Sequence, residues 1–153
     1  MRRATWTCEP ALSFLLDTCV LSDAARNADA GLLAWLEHQS PLDLHISVLS
    51  LGEIQKGIAL LPRGKRRAGL EAWLGRELPA RFAGRVLSVT PDVALAWGRL
   101  TADGQKAGRR LPAIDGLLLA TALAHGLTLV TRNTADTVGR GVAVDDPYTG
   151  ARP

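Results

Sequence analysis

The sequence predicts a three-layer α/β/α fold around a central, mainly parallel sheet. Short apolar or alternating segments, which favour strands, recur between longer segments in which apolar residues are spaced three or four apart, which favours helices. Strands that alternate with helices are typical of a parallel sheet covered on both faces. The 153 residues suit one domain, and we find no linker or internal repeat. We therefore expect a single domain, 1–153, with its core at about 13–148.

The first half of the chain contains two predicted strands. Ser13–Leu16 ends in an uninterrupted apolar run, which is typical of a buried strand, and Leu42–Ser47 alternates between apolar and polar residues. Four helices are predicted around them: Val20–Arg26, Asp29–His38, Ser47–Leu61 and Gly64–Phe82. Pro79 should end or kink the last helix, because proline lacks the backbone N–H that a helix interior requires. Residues 1–12 are expected to form an irregular lead-in.

The second half of the chain repeats this alternation. Thr90 can cap a helix that has Pro91 in its first turn, and Gly126 can end an apolar helix. In chain order we predict the strand Arg85–Val89, the helix from Pro91, a basic loop at Gly104–Arg110, the helix Pro112–His125, the strand Leu127–Thr131, a helical turn at Ala135–Val138 and the strand Val142–Val144. The polar tail Asp145–Pro153 should be frayed.

Composition excludes several classes of protein. The two cysteines, Cys8 and Cys19, make no disulfide framework and belong to no zinc-binding pattern. The N-terminus lacks the long apolar segment of a signal peptide, and no apolar stretch reaches the roughly 18 residues of a membrane span. We therefore expect a soluble cytoplasmic protein without a membrane partner. The formal net charge of +3 permits binding of nucleic acid without demonstrating it.

Four acidic residues lie where the chain passes from one predicted element to the next. They are Asp17, Glu53, Asp115 and Asp136. Strand C-termini and helix N-termini of an open α/β sheet meet at one edge, where ligands bind. Carboxylates that converge there repel one another unless a divalent cation neutralises them, and oxygen ligands suit Mg²⁺ or Mn²⁺. The pattern therefore predicts a candidate site for metal-assisted phosphodiester chemistry.

Each acid alone also has a purely structural explanation. Asp17 can cap a helix, and Asp136 can cap the short turn that follows the strand. Glu53 fits a capping box with Ser50, in which the glutamate reaches back to the serine amide. Asp115 can complement the dipole of the helix that it opens. These alternatives stay open, because four acids at such positions can also arise by chance.

Four segments contain these acids and follow one another along the chain. They are FLLDT at 14–18 with VLS at 20–22, ISVLSLGEIQKG at 46–57, PAIDGLLLATA at 112–122 and LTLVTRNTAD at 127–136. Together they resemble the four motifs of the PIN-domain ribonucleases, and in particular of the VapC and FitB-like toxins of bacterial toxin–antitoxin pairs. The resemblance covers roughly Ser13 to Tyr148, and its specificity comes from the combination of motifs.

The resemblance implies an endoribonuclease that depends on Mg²⁺ or Mn²⁺ and cleaves structured RNA such as tRNA. The four acids would be its catalytic residues. Asp17 and Asp115 would ligate the metal directly, and Glu53 would do so directly or through water. Asp136 would complete the acidic pocket or position a second ion. The Thr18 hydroxyl would join the same network.

The resemblance also implies partners. These are the RNA substrate, a second copy of the chain, and a small DNA-binding antitoxin that inserts a segment into the acidic groove. The predicted helices Ser47–Leu61 and Gly64–Phe82 carry more apolar side chains than one sheet layer needs, and surplus apolar surface usually marks an interface. The alternative function is a binding module of the same fold that acts through its antitoxin with little or no catalytic turnover.

Two positions depart from the pattern of these toxins. Cys19 stands where they usually have Asn or Ser, and a thiol donates and accepts hydrogen bonds only weakly. It would loosen the support of the site or lower its activity. Thr137 follows Asp136 where an aromatic residue is common, so the role expected of Asp136 could belong to Asn133 instead.

Basic residues form two groups. The first group, Arg63, Lys65, Arg66, Arg67, Arg76, Arg81 and Arg85, is most simply a solvated helix face. The second group, Lys106, Arg109 and Arg110, directly precedes the Asp115 motif, and we expect it to guide RNA to the metal through phosphate contacts. Three tryptophans, Trp35, Trp73 and Trp97, lie among helical apolar residues and should belong to the core.

Overall fold

The computed structural model describes residues 12–148. Its centre is a sheet of five strands in the order β3-β2-β1-β4-β5. The strands are β1 (Phe14–Leu16), β2 (Leu44–Ser47), β3 (Val86–Leu87), β4 (Thr128–Val130) and β5 (Val144–Asp145). Every neighbouring pair runs parallel, and Phe14 lies opposite both Leu44 and Thr128. The prediction of a mainly parallel sheet is confirmed.

Helices follow the strands as the sequence predicts. They are α1 (Thr18–Ala25), α2 (Ala30–Glu37), α3 (Val48–Ala59), α4 (Lys65–Ala72), α5 (Leu78–Arg81), α6 (Pro91–Lys106), α7 (Ala113–His125) and α8 (Thr134–Thr137), with a 3₁₀ turn at Pro41–Asp43. The Thr90 hydroxyl accepts a hydrogen bond from the Val93 N–H at the start of α6. Gly126, with φ of +64°, ends α7. Both predicted caps are therefore confirmed.

Two apolar clusters cover the two faces of the sheet. The first cluster contains Phe14 and Leu16 of β1, and the second contains Leu15 between them. Side chains that alternate along a strand point to opposite faces, so a single strand contributes to both clusters. The first cluster packs α1, α2, α3 and α5 on one face, whereas the second packs α6 and α7 on the other. The predicted three layers are thus confirmed.

The predicted tryptophan positions are also confirmed. Trp35 meets the ring of Phe14 edge to face, with 4.8 Å between ring centroids. Trp73 packs against the first cluster and Trp97 against the second, each partly buried. These three side chains stabilise the layers on either side of the sheet, and none is an isolated surface platform.

The helical segment around Pro79 does not end there. Residues 65–81 are helical throughout, but α4 and α5 are joined by a π-helical turn at Trp73–Glu77. The Leu78 N–H donates to the Trp73 carbonyl, five residues earlier. A proline clashes with the carbonyl four residues before it in a regular helix, here that of Gly75. The wider turn directly before Pro79 accounts for the continuation of the helix.

The surplus apolar surface expected on Gly64–Phe82 is not exposed. Leu78 and Phe82 are only 3% and 5% exposed, and the larger apolar side chains Leu70, Trp73 and Leu74 are partly buried against the first cluster. The exposed apolar residues near the predicted interface are instead Val48, at the start of α3, and Leu60, just beyond its end.

The predicted loop at Gly104–Arg110 is wrong in its first part, because α6 continues to Lys106. The turn that ends it is centred on Gly108, with φ of +66°. The Arg109 N–H then donates to the Gly104 carbonyl at 2.7 Å. A Cβ at Gly104 would lie 2.6 Å from the Arg109 carbonyl oxygen. Glycine is therefore required here for close approach of the returning chain, and it does not break the helix.

The prediction of a frayed tail is wrong for residues 145–148. Asp145 belongs to β5, and Tyr148 is buried, with its hydroxyl donating to Asp23 Oδ2 at 2.7 Å. One aromatic side chain thus anchors a segment that also contains two aspartates and a proline. Residues 1–11, with Cys8 and most of the predicted lead-in, and residues 149–153 lie outside the described part of the chain. Among residues 12–148, the helices are all too short or too polar to cross a membrane.

Candidate functional site

An open pocket of about 430 Å³ lies at the carboxyl edge of the sheet. We call it the acid pocket, and its lining residues are Asp17, Thr18, Cys19, Ser22, Glu53, Asp115, Arg132 and Asn133. Asp17 directly follows β1, and Asn133 follows β4, the strand that pairs with β1. Asp115 lies in the first turn of α7. Three of the four predicted acids therefore line one pocket, as the topology of the sheet predicts.

Asp17 both caps α1 and belongs to the acid pocket. Its Oδ1 accepts a hydrogen bond from the Thr18 N–H at 2.6 Å, and its Oδ2 accepts one from the Thr131 hydroxyl at 2.7 Å. The Asp17 N–H donates to the Val130 carbonyl, which ties the residue to the end of β4. The structural and functional explanations of Asp17 are thus compatible. Thr131, which is fully buried, was missed by sequence reasoning, although it stands inside the fourth motif.

Glu53 does not take part in the predicted capping box. The residue that caps α3 is Ser47, whose Oγ accepts from the Leu49 N–H at 3.0 Å. Ser50 is instead buried within the helix, with its Oγ 2.9 Å from Thr18 Oγ1. The Thr18 hydroxyl donates to Glu53 Oε1 at 2.7 Å, because a carboxylate can only accept. The expected hydroxyl of Thr18 is therefore what orients Glu53 in the pocket.

Asp115 shows that the acids act on one another electrostatically. Its pKa is raised, first by burial and then by the negative charges of Asp17, Asp136 and Glu53. The other three predicted acids therefore lie within electrostatic reach of Asp115, including Asp136, which does not line the pocket itself. The local excess of negative charge is the property that a bound cation would relieve.

Asp136 is held at the edge of the pocket by its neighbours. Its Oδ2 accepts from Asn133 Nδ2 at 3.2 Å, and its backbone carbonyl accepts from Arg140 Nε. Arg109 Nη2 donates to the Ala135 carbonyl at 2.8 Å. Arg109, which we expected to contact RNA, is thus engaged in fixing α8, whereas Lys106 and Arg110 of the same group are exposed.

Two members of the first basic group have structural roles. Arg67 pairs with Glu71 at 2.8 Å and donates to the Leu61 carbonyl. Arg85 donates to the carbonyls of Pro41, Leu44 and Arg81, which fastens the start of β3 to the neighbouring segments. The solvated-face interpretation is therefore incomplete for these two arginines. Their guanidinium N–H groups donate to carboxylate and carbonyl oxygens of the protein itself.

Cys19 supports Asp17 only weakly, as its chemistry predicts. The Cys19 Sγ lies 3.6 Å from Asp17 Oδ2 and 4.0 Å from Thr131 Oγ1. Burial and, after it, the charge of Asp17 raise the pKa of the thiol, so the group stays protonated at neutral pH. The strong side-chain donor to this oxygen is the hydroxyl of Thr131. A buried threonine thus compensates for the weak donor at position 19.

The donor set fits a partly hydrated Mg²⁺ or Mn²⁺. Carboxylate oxygens dominate the acid pocket, and these are the ligands that hard divalent cations prefer. Within residues 12–148, no three His, Cys, Asp or Glu side chains converge closely enough to form a ready-made cage. Mg²⁺ usually keeps several waters and binds only one or two carboxylates directly. The pocket therefore fits this mode and not a four-ligand zinc site.

Comparison with known proteins identifies a matching domain family and similar proteins. Residues 14–135 match the model of the PIN domain. The chain is 33% identical to the VapC ribonuclease Y4jK of Sinorhizobium fredii, over 90% of this chain and 99% of that protein. It is also 33% identical to the toxin FitB of Neisseria gonorrhoeae, over 88% of this chain and 97% of that protein.

A solved structure shares the architecture. The structure of FitAB bound to the IR36 DNA fragment aligns with a TM-score of 0.84 and 31% identity, and it covers 89% of this chain and 96% of that chain. The matched domain includes the segments that carry Asp17, Glu53 and Asp115. On the strength of its acid pocket, its sheet order and these similarities, the chain belongs to the PIN-domain family, among relatives of the VapC and FitB type.

Proposed function

We propose that this chain is a Mg²⁺- or Mn²⁺-dependent endoribonuclease and the toxin of a toxin–antitoxin pair that acts in the cytoplasm on structured RNA such as tRNA. The observation that carries the proposal is the convergence of Asp17, Glu53 and Asp115 on one open pocket, where burial and the charges of the neighbouring acids raise the pKa of Asp115. Such a concentration of negative charge, open to solvent in a pocket, suits a divalent cation and a phosphodiester. The names of the relatives, a ribonuclease and a toxin, support the same activity.

The residues of the acid pocket have distinct roles in this proposal. Asp17 and Asp115 hold the cation directly, Glu53 holds it directly or through water, and Asp136 completes the negative pocket. The cation, when bound, lowers the pKa of water and stabilises negative charge on the phosphate. A pocket carboxylate takes the proton of the attacking water. Water oxygen bonds to phosphorus, the bond to the leaving oxygen breaks, and that oxygen takes a proton from solvent.

Positioning of these carboxylates comes from the rest of the site. Thr131 and the Thr18 amide fix the two oxygens of Asp17, and the Thr18 hydroxyl fixes Glu53. Fixed carboxylates need no reorganisation when the cation binds, which favours catalysis. Lys106 and Arg110, exposed beside the segment that leads to Asp115, would contact RNA phosphates independently of sequence.

The proposed partners follow from the same pocket. A small DNA-binding antitoxin would insert a segment with Arg or Lys, which would rival the cation for Asp17, Glu53 and Asp115 through charge-assisted hydrogen bonds. The FitAB structure, in complex with DNA, supports a partner of this kind. A homodimer would cover exposed apolar side chains such as Val48 and Leu60.

The second candidate function is a PIN-fold binding module without turnover. The observation that favours it is Cys19, which places a weakly hydrogen-bonding thiol 3.6 Å from Asp17 Oδ2, where the VapC and FitB-like toxins usually have Asn or Ser. The two functions differ in what substitution of an acid does. In a nuclease, loss of Asp17 or Asp115 abolishes both RNA cleavage and toxicity in cells. In a binding module, these substitutions leave toxicity unchanged.

The test is cleavage of purified tRNA by the purified chain with Mn²⁺ and with EDTA. We expect cleavage that stops in EDTA and in Asp17→Asn and Asp115→Asn. Asp92→Asn, a substitution of an exposed acid in the first turn of α6, is the matched control and should retain activity. Cleavage that persists in EDTA would refute metal dependence. A folded chain that cuts no cellular RNA would favour the binding module.

A further inference from the structure

Arg132 is the only cation among the residues that line the acid pocket. Three carboxylates, those of Asp17, Glu53 and Asp115, line it as well. An RNA phosphate brings a further negative charge into surroundings that are already negative. A cation supplied by the protein at the rim of the pocket would reduce that repulsion. Arg132 lines the pocket, and its side chain is 61% exposed.

The guanidinium of Arg132 is held by two contacts from outside the pocket. Its Nη1 lies 3.1 Å from Asp23 Oδ2, and its central carbon stands 5.5 Å from the centroid of the Tyr148 ring. Both partners are buried, with Asp23 only 2% exposed. The contacts therefore restrict a long side chain that would otherwise sample many rotamers, and a guanidinium fixed in this way loses less entropy on binding phosphate.

Arg132 is not required to neutralise the buried Asp23 carboxylate. Oδ1 of Asp23 is paired with Arg26 Nη2 at 2.5 Å, and Oδ2 accepts from the Tyr148 hydroxyl at 2.7 Å. Burial alone raises the pKa of Asp23, but these bonds and the two guanidinium groups outweigh it and the pKa is lowered. The buried carboxylate thus has a partner on each oxygen without Arg132.

We infer that Arg132 binds an RNA phosphate at the acid pocket, and that Asp23 and the Tyr148 ring hold its guanidinium in the binding position. The inference rests on the proposed function and adds a residue that touches the substrate. Arginine has five N–H donors, and one Nη1 contact to Asp23 leaves donors for the paired oxygens of a phosphate. Asp23 and Tyr148 are positioning residues, since they act through Arg132.

The test is binding of a labelled single-stranded oligoribonucleotide at several salt concentrations. Ca²⁺ replaces Mg²⁺, so that the charge of a bound cation is present while its more flexible coordination disfavours cleavage. Arg132→Ala should weaken binding by about 10–100-fold, in the range of charge-assisted hydrogen bonds. The slope of log Kd against log salt should fall by about 0.7, which corresponds to one lost phosphate contact. Arg132→Gln keeps an amide donor for Asp23 and should give the same slope change if the alanine variant is unstable.

Three further variants separate phosphate binding from structural support. Arg132→Lys keeps the charge and should retain the salt slope with weaker binding, because lysine lacks the planar fork. Tyr148→Phe keeps the ring but not the hydroxyl, and should weaken binding by a few fold at an unchanged slope. Arg99→Ala, which removes an exposed arginine of α6, should bind like the parent.

The inference would be overturned if Arg132→Ala and Arg132→Gln kept the parental affinity and slope, or if Arg99→Ala lost as much of both. Because the readout is binding, it is independent of turnover. A chain that binds RNA through Arg132 but never cleaves it refutes the proposed nuclease and leaves this inference intact. If the chain is an active nuclease but substitution of Arg132 leaves its RNA affinity unchanged, only this inference is refuted.

Discussion

The Thr131 hydroxyl and the Asp17 carboxylate are joined by a hydrogen bond of 2.7 Å that links the ends of two paired strands. Thr131 Oγ1 also accepts from the Asn133 N–H at 3.0 Å. One buried hydroxyl therefore orients a proposed metal ligand and starts the turn towards α8. It does so next to a thiol that contributes little to the same oxygen.

Removal of this hydroxyl should weaken the site. In Thr131→Val, a side chain of similar shape remains, but Asp17 Oδ2 loses its strong donor. We expect Mn²⁺ affinity to fall by about tenfold, or about 1.4 kcal/mol, which is close to the lower end of the range for a hydrogen bond to a charged group. Titration calorimetry measures this change, and Thr131→Ser is the control that keeps the hydroxyl. Equal Mn²⁺ affinity in the valine variant and the parent would show that Asp17 is oriented by other contacts.

Stability in the absence of metal should report the repulsion around Asp115. Its pKa is raised by burial and then by the neighbouring acids. An acid with a higher pKa in the folded than in the unfolded chain makes the free energy of unfolding fall as pH rises from the unfolded value, about 3.9, through the raised value. In EDTA, Asp115→Asn should therefore be more stable than the parent near neutral pH, and the difference should shrink as the solution is acidified.

Thermal unfolding in EDTA at a series of pH values checks this expectation. Asp92→Asn serves as the control, since this acid is exposed on α6. Saturating Mn²⁺ should then stabilise the parent more than Asp115→Asn, because a cation that binds only the folded chain raises its stability. A metal-free asparagine variant that is less stable than the parent at neutral pH would reverse the predicted sign.

Cys19 should lower the Mn²⁺ affinity or the cleavage rate of the site only modestly. Cys19→Asn places a stronger hydrogen-bonding group near Asp17 Oδ2, and we expect tighter Mn²⁺ binding or faster RNA cleavage by about 0.5–1.5 kcal/mol, the value of one hydrogen bond. Cys19→Ala, which removes the thiol without adding a donor, is the control. Calorimetry and initial rates of tRNA cleavage provide the two readouts. A large loss in Cys19→Asn would mean that the pocket has room only for the smaller side chain.

Assembly provides the last prediction. We expect the isolated chain to sediment as a dimer at micromolar concentration. Leu60→Glu should shift it towards the monomer, because Leu60 is 76% exposed and lies at the end of the predicted interface helix. Leu95→Glu, a change of an apolar residue that is 63% exposed on α6, is the matched control. Co-expression with a neighbouring small reading frame should give a complex with suppressed nuclease activity. A strictly monomeric chain that no neighbouring gene product inhibits would remove the toxin interpretation and leave the nuclease proposal.

Local patterns in the sequence are sufficient to predict most of the fold. The apolar runs before Asp17 and Asn133 predict β1 and β4, and the cap at Thr90 predicts the start of α6, because each depends on residues adjacent in the chain. The approach of the acids to one pocket also follows from the sheet, since carboxyl ends of parallel strands share an edge.

The errors arise where tertiary contacts decide between local alternatives. Ser47 and Ser50 both suit an N-cap, and only the point at which β2 stops selects Ser47. Glycine is common at helix ends, but Gly104 lies inside α6, where its lack of a side chain lets the Arg109 backbone approach closely. Tyr148 stands in a polar tail, and its partner Asp23 lies 125 residues away. No window of the sequence contains these distant partners.

The junction between β2 and α3 makes chain length itself a part of the site. Ser47 is both the last residue of β2 and the cap of α3, so no loop separates the sheet from the helix that carries Glu53. An inserted residue at this junction would rotate everything beyond it by about 100° around the helix axis. Glu53 would swing away from the Thr18 hydroxyl while Ile54 and Ile58 left the core. The number of residues between the end of β2 and the Glu53 carboxylate is therefore fixed by the geometry of the site.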